Sequence, residues 1–324
     1  MQALTPQETT DRLPFHRLIA ALQAMFTQGC HVPLRHTHAV GTPDSGQGTV
    51  LLMPAWQDGG YLGVKTVSIY PNNRDQGLPG LHSVYVLFDA KTGVPLALLD
   101  GDVITSRRTA AASALAASYL SRPDAHRLLV VGAGRVASLL SQAYRAVRPI
   151  DQVQVWDIDA ALATRLVERL QADGLRASLA TDLEAATASA DIISCATLST
   201  EPLVRGAWLR PGTHLDLIGG FTPTMRESDD ACLVRSTVFV DTDEAAMKAG
   251  DLLSPMGSGV FHQDAIAADL AALCRGQHQG RSREDEITLF KSVGTALEDL
   301  AAAALAYAPA RDGSHGRAPR VNAA

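Results

Sequence analysis

The sequence predicts an α/β chain in which a doubly wound parallel sheet follows a smaller α+β half. Three observations carry the prediction. Between residues 50 and 99, short β-prone runs are separated by turn-rich clusters. From residue 127 onward, β runs alternate with helical segments. At the first of those runs the chain turns through closely spaced glycines into a helix.

Composition sets the outer limits. The 324 residues suffice for about two domains. Hydrophobic residues make up 46% and charged residues 19%, which excludes a disordered acidic or basic chain. The net charge is −6 and no Lys/Arg run exceeds two, so nucleic acid is not an expected partner. Nor is a membrane, because no run of about 18 apolar residues occurs. Met1–Thr10 carry no basic run, and the apolar stretch after Pro14 is broken by His16, Arg17 and Gln23. A secretory leader is therefore not expected, and a cytoplasmic location is. Cys30, Cys195, Cys232 and Cys274 form no C-x-x-C pair and read as small buried hydrophobes. Cys30, His31, His36 and His38 lack zinc-ligand spacing, so no metal is expected.

The elements follow in order. Phe15, Leu18, Ile19, Leu22 and Phe26 recur at helical spacing. Val50–Met53, Tyr61–Ile69, His82–Asp89 and Pro95–Leu99 read as a mostly antiparallel sheet, with a hairpin turn at Lys91–Gly93. Ile104–Leu120 is Ala-rich without Gly or Pro, hence helix, and Arg122-Pro123 ends it. Five β runs come next: Arg127–Val131, Val153–Asp157, Asp191–Cys195, His214–Ile218 and Val238–Asp241. Helical segments are expected near 136–147, 160–172, 182–189 and 227–233. Leu289, Phe290, Val293, Leu297, Leu300 and Ala304 again follow helical spacing, and the tail from Ala308 reads as fraying. The Arg281–Glu286 charge run reads as a solvated helix start. Gly257-Ser-Gly259 lacks the nucleophile-elbow pattern, so no hydrolase triad is expected.

The most specific local signal is Leu128-Leu-Val-Val-Gly-Ala-Gly-Arg-Val-Ala137. An apolar strand runs into Gly132-x-Gly134-x-x-Ala137, the pattern of a Rossmann dinucleotide loop. Gly132 permits the tight turn, Gly134 allows close approach of a pyrophosphate, and Ala137 lets the helix pack on the strand. The amides from Arg135 and Val136 onward, at the helix start, would face the phosphates. Asp157 ends the second strand, where a carboxylate accepts from a ribose 2′-hydroxyl and repels a 2′-phosphate. NAD(H) is therefore favoured. Arg135 keeps NADP(H) possible.

Beyond this loop the chain resembles the ornithine cyclodeaminase/mu-crystallin family, over roughly residues 14 to 307. Six segments carry the likeness in order: Gly63-Val-Lys65 with Pro71-x-Asn73; Thr105-Ser-Arg-Arg108-Thr-Ala-Ala; Gly132-Ala-Gly134; Cys195-Ala-Thr197 with Pro202; Leu217-Ile-Gly-Gly-Phe-Thr-Pro223 with Arg226-Glu227; and Phe290-Lys-Ser292-Val-Gly294. The resemblance implies a homodimer joined through the sheet half. It implies a division into residues 1–122 for substrate and dimerisation, completed by a helical segment 291–324, and 123–290 for the dinucleotide. It places Lys65 and Arg108 at the reacting ligand, with Arg35 as a second carboxylate-binding arginine. Thr197, Gly219 and Ser292 fall to the cofactor. Arg108 is expected to begin a helix, from which its guanidinium could grip a substrate carboxylate with two hydrogen bonds.

One departure bears on the chemistry. Where the cyclodeaminases carry Gly-Gly-Asp, with the Asp as proton-handling group, this chain has Gly219-Gly220-Phe221. Phenylalanine cannot take a proton from an amine, so oxidative deamination should suffer. Reducing a preformed cyclic imine asks less, and some ketimine reductases of the family resemble this Gly-Phe-Thr-Pro form. The expected reaction is reduction of Δ1-pyrroline-2-carboxylate or Δ1-piperideine-2-carboxylate to L-proline or L-pipecolate, with Phe221 near the substrate. The alternatives are an ornithine cyclodeaminase that uses Asp216 or Glu227, an alanine-dehydrogenase-like open-chain reaction, and a mu-crystallin-like binding protein.

Overall fold

A computed structural model describes residues 1–41 and 48–308. Residues 42–47 and the segment 309–324, including the end of the expected C-terminal helix, lie outside the described residues.

The chain opens with β1 (Gln2–Ala3), α1 (Pro6–Asp11) and α2 (Phe15–Gln28). Then come β2 (His36–Val40), β3 (Gly48–Trp56), β4 (Tyr61–Ile69), β5 (Leu81–Asp89), β6 (Pro95–Asp100) and α3 (Gly101–Leu120). The six strands form one sheet in the order β1-β6-β5-β4-β3-β2, antiparallel except where β1 joins β6. The edge strands β1 and β2 escape sequence reading because they are short or exposed along their length.

A second series follows: β7 (Arg127–Val131), α4 (Ala137–Arg145), β8 (Gln152–Trp156), α5 (Ala160–Ala172), β9 (Arg176–Leu179), α6 (Leu183–Ser189), β10 (Ile192–Cys195) and β11 (His214–Leu217). It continues with α7 (Asp230–Val234), β12 (Thr237–Val240), α8 (Ala245–Lys248), α9 (Gly250–Gly257), β13 (Ile266–Asp269), α10 (Leu270–Cys274), β14 (Thr288–Lys291) and α11 (Ala296–Tyr307). These strands form an all-parallel sheet ordered β13-β12-β14-β11-β10-β7-β8-β9. The order reverses between β7 and β10, and ligands of such sheets bind beyond the carboxyl ends of the strands at that point.

Pleating divides the first sheet into two faces. Met53, Lys65, Tyr85 and Leu99 form one row across β3 to β6, all buried. That face meets α11 over β3 and β4 and α3 over β5, with α2 packed on both helices. The alternate row, Pro54, Val64, Val86 and Leu98, points the other way and is only half-buried. Helix α3 is buried almost all round, and its alanines let it touch β5, α4 and β14 together. No helix among the described residues is long and apolar enough to cross a membrane.

Several expectations are corrected. Thr288–Lys291 is a central strand between β11 and β12, not helix, and the last helix starts only at Ala296. The apolar spacing there is shared by a short buried strand and the helix after it. Helix α3 starts at Gly101, capped by the Asp100 side chain, so Arg108 stands well inside it. Arg281–Glu286 is not helix; residues 282–285 are exposed as expected, but both ends of the run are tied inward. Arg281 donates to the carbonyls of Leu120 and Thr213, and buried Glu286 accepts from Thr237 and Ser282. Glu227 precedes α7 rather than lying in it. Of the four cysteines, Cys195 and Cys232 are buried while Cys30 and Cys274 are half-buried.

Candidate active site

The glycine loop leaves β7 as its pattern requires. Gly132 has φ +107°, a conformation that disfavours any side chain, and a Cβ there would lie 2.7 Å from the Ala196 carbonyl. At Gly134 a Cβ would meet nothing within 4 Å, so this stretch of backbone is open to an approaching group. Asp157 is half-buried and braced. One oxygen accepts from Ala133 N–H at 2.7 Å and the other from Asp159 N–H at 2.8 Å. Arg135 points to the other half of the chain and pairs with Asp102 of α3 at 2.9 Å. Val136 stands directly before α4. An open glycine turn, a helix start and an oriented carboxylate fit a dinucleotide.

The floor beside this loop is a buried carboxylate network. Glu227 accepts from Thr197 N–H and Oγ1–H at 2.7 and 2.9 Å, and from the N–H groups of Gly219 and Gly220 at 2.6 and 3.3 Å. Its own N–H donates to Asp251, whose other oxygen faces Lys291 Nζ at 3.2 Å. Glu227, Asp251 and Lys291 are all fully buried. Burial pushes the Glu227 carboxyl up to about 7, against the pull of Lys291. Asp216 is equally enclosed. It accepts from Tyr144, Ser194 and Ser113, and burial raises it to about 6 despite those bonds. Glu227 and Asp216 are both fully buried, and the oxygens of each accept the hydrogen bonds named above. Thr197 and Gly219 thus stand at the expected end of the sheet. Phe221 lies beyond them with its side chain 43% exposed.

The cations gather on α11. Lys65, from the middle of β4, reaches Asp299 Oδ2 at 2.7 Å. Arg108 donates Nε–H to Asp299 Oδ1 at 2.9 Å and Nη1–H to Glu298 at 2.6 Å. Both cations are at least nine-tenths buried. The expected two-bond grip on a ligand is therefore already spent on α11. Only Nη2 of Arg108 lacks a hydrogen-bond partner among the described residues. Burial lowers Lys65 to about 8, although Asp299 opposes it. Burial also works against the Arg108 charge, but Asp299 and Glu298 raise it above the usual value. Burial pushes Glu298 up to about 7, only partly offset by Arg108, and leaves its Oε1 without a partner.

The turn from β14 into α11 joins these groups. Gly294 has φ +76°, and a Cβ there would lie 2.5 Å from Arg108 Nη1. Its N–H donates to Asp241 at 2.6 Å, and its carbonyl accepts from Arg35 at 3.3 Å. Arg35, Arg108 and the Ser292 segment thus meet at one turn. Sequence reading misses Glu298, Asp299, Asp241, Asp251 and Lys291. The available signal was a pair of acids inside the apolar run 296–307, which also reads as ordinary complementation of a helix dipole.

With this geometry in place, comparison with known proteins decides the lineage. The model of the ornithine cyclodeaminase/mu-crystallin family matches residues 5–314. The chain belongs to that family. A Δ1-pyrroline-2-carboxylate reductase of Paracoccus denitrificans is 41% identical over 305 residues, covering 92% of this chain and 94% of its own. The solved Δ1-pyrroline-2-carboxylate reductase of Thermococcus litoralis, in complex with NADH and L-proline, superposes with a TM-score of 0.88 at 36% identity, over 95% of this chain and 96% of its own. An archaeal alanine dehydrogenase dimer with bound NAD gives 0.86 at 30% identity, over 95% of each chain. Across the family members compared, likeness extends over both sheets rather than the nucleotide half alone.

Proposed function

We propose that this chain reduces a cyclic 2-imino acid, Δ1-pyrroline-2-carboxylate or its six-membered homologue, to the L-amino acid with NADH. The observation that carries the reading is the convergence of Lys65 and Arg108 on one carboxylate beside Gly294, with Arg35 at the same turn. The two Δ1-pyrroline-2-carboxylate reductases named above support the same reaction. The dinucleotide, when bound, supplies a hydride to the ring carbon that bears the carboxylate. Gly132, Gly134, Val136, Asp157, Thr197, Gly219 and Ser292 would hold it, and Asp157 favours NADH over NADPH. Arg135, paired with Asp102, is turned away from a 2′-phosphate role.

Arg108 Nη2 and Arg35 take the substrate carboxylate, and Phe221 covers the ring. Lys65 Nζ gives a proton to the ring nitrogen. One Nζ–H bond breaks and one ring N–H bond forms. Lys65 is left neutral and regains its proton from water. No carboxylate is needed at position 221, because the amine is a product and need not be deprotonated.

A homodimer completes the proposal. The half-exposed row Pro54, Val64, Val86 and Leu98 gives a second copy an apolar surface to cover. Four free cysteines suit a reducing, cytoplasmic setting. The test is NADH consumption with the freshly generated imine, alongside ammonia release from L-ornithine. Imine-dependent turnover is expected. Ammonia release without imine reduction would instead make the enzyme a cyclodeaminase.

A further inference from the structure

The reaction leaves one group without a role, the carboxylate of Asp299. It is fully buried on an Ala-rich helix, where an acid persists only if it is paired. Its two oxygens serve cations from two other elements: Lys65 of β4 at 2.7 Å and Arg108 of α3 at 2.9 Å. The helix fixes the carboxylate, and the carboxylate fixes both cations. Buried charge of this kind is a poor device for stability alone, since apolar side chains of similar volume often do as well. Each cation also keeps donors without a partner among the described residues: Nη2 of Arg108, and Nζ–H groups of Lys65 beyond the one facing Asp299.

We infer that Asp299 is a positioning residue for the reduction: by bridging Lys65 and Arg108 it sets the direction of both and holds the lysine in its charged form. The inference rests on the reaction proposed above. The charged and titratable groups around Lys65 are Asp299 and Glu298 of α11, Arg108 of α3 and, on the neighbouring strand, Tyr85, whose buried hydroxyl has no partner. Burial draws Lys65 down to about 8. Asp299 is the strongest influence in the other direction, and Arg108 adds to the lowering. Without the Asp299 charge the lysine loses its proton at lower pH. Glu298 supports the Lys65 charge less strongly than Asp299, and its bonded oxygen is on Arg108 Nη1.

The experiment compares the full-length wild type with Asp299→Asn and Asp299→Glu. It follows kcat/KM for the imine against pH, and calorimetric binding of L-proline with NAD+ present. In D299N the alkaline limb of kcat/KM should move down by about one pH unit or more. L-Proline should bind about tenfold more weakly or worse, while NADH affinity stays within about threefold. In D299E the charge remains but its direction shifts, so the alkaline limb should stay while kcat/KM falls about tenfold or more. An unmoved limb in D299N, or full efficiency in D299E, overturns the inference. So does failure of both variants to fold, which would assign the bridge to stability. If the wild type reduces no imine, the proposed reaction fails on its own. A loss of L-proline affinity in D299N still supports Asp299 in that case, and absence of L-proline binding to the wild type as well overturns both.

Discussion

Replacing Glu227 by alanine tests whether the floor of the crevice is held as described. The change removes the acceptor for three short hydrogen bonds, from Thr197 N–H, Thr197 Oγ1–H and Gly219 N–H, and one longer bond from Gly220 N–H. A buried donor left without a partner costs about 1–3 kcal/mol, so the three short bonds together amount to about 3–9 kcal/mol. One effect opposes this. Burial raises the Glu227 carboxyl from 4.5 to about 7, and keeping it ionised inside the fold above that pH costs about 3 kcal/mol relative to the unfolded chain. The sign follows from the folded value lying above the unfolded one. The stability linked to this group is complete below about pH 4.5 and is lost as pH rises through about 7. Glu227→Ala removes that penalty, so it should destabilise more at about pH 5 than at about pH 8, by about 2 kcal/mol. Urea unfolding at both pH values measures the difference. Equal destabilisation at the two, or none at either, would refute the account of Glu227 as a buried clamp that titrates near neutrality.

Three further outcomes are expected. Gly132→Ala must place a Cβ at φ +107° and 2.7 Å from the Ala196 carbonyl, so NADH affinity by fluorescence titration should fall about tenfold or more; unchanged affinity would count against the glycine turn as cofactor site. Asp157→Ser should lower the NADH-over-NADPH ratio of kcat/KM by about tenfold, and an unmoved ratio would leave Asp157 only as a brace for Ala133. Val86→Asp puts a charge in the middle of the half-exposed row, and sedimentation should then report a monomer; a dimer of wild-type stability would place the interface elsewhere.

The fold was legible where pattern and physics coincide. Tyr61–Ile69 was read to the residue because it is a β-prone run bounded by Gly59-Gly60 and Pro71, and β7 because an apolar run ends in a glycine turn. Strand β14 was not, since Lys291 closes it and the helical spacing of Leu289, Val293 and Leu297 runs across its end. That lysine is tolerated because Asp251, forty residues earlier in the chain, is folded against it and the Leu217 carbonyl accepts from it. The cations of the site were legible through family likeness alone: nothing in the spacing of Lys65 and Arg108 says that they meet. Their partners were not, because Glu298 and Asp299 look like routine acids in a first helical turn. Charge pairs made between distant segments leave no local period to detect.

Helix α3 has a mechanical consequence. It carries Arg108 against the first sheet, and five residues further on its Ser113 hydroxyl donates to Asp216 in the centre of the second, at 3.2 Å. One rigid rod thus spans both layers. A wide hinge between the layers would have to shear that rod from a sealed interior, so the gap in which a ring must fit has a width set by the backbone rather than by the ligand. On the proposed reading Phe221 covers the ring, so exchanging it should retune ring size without reshaping the scaffold.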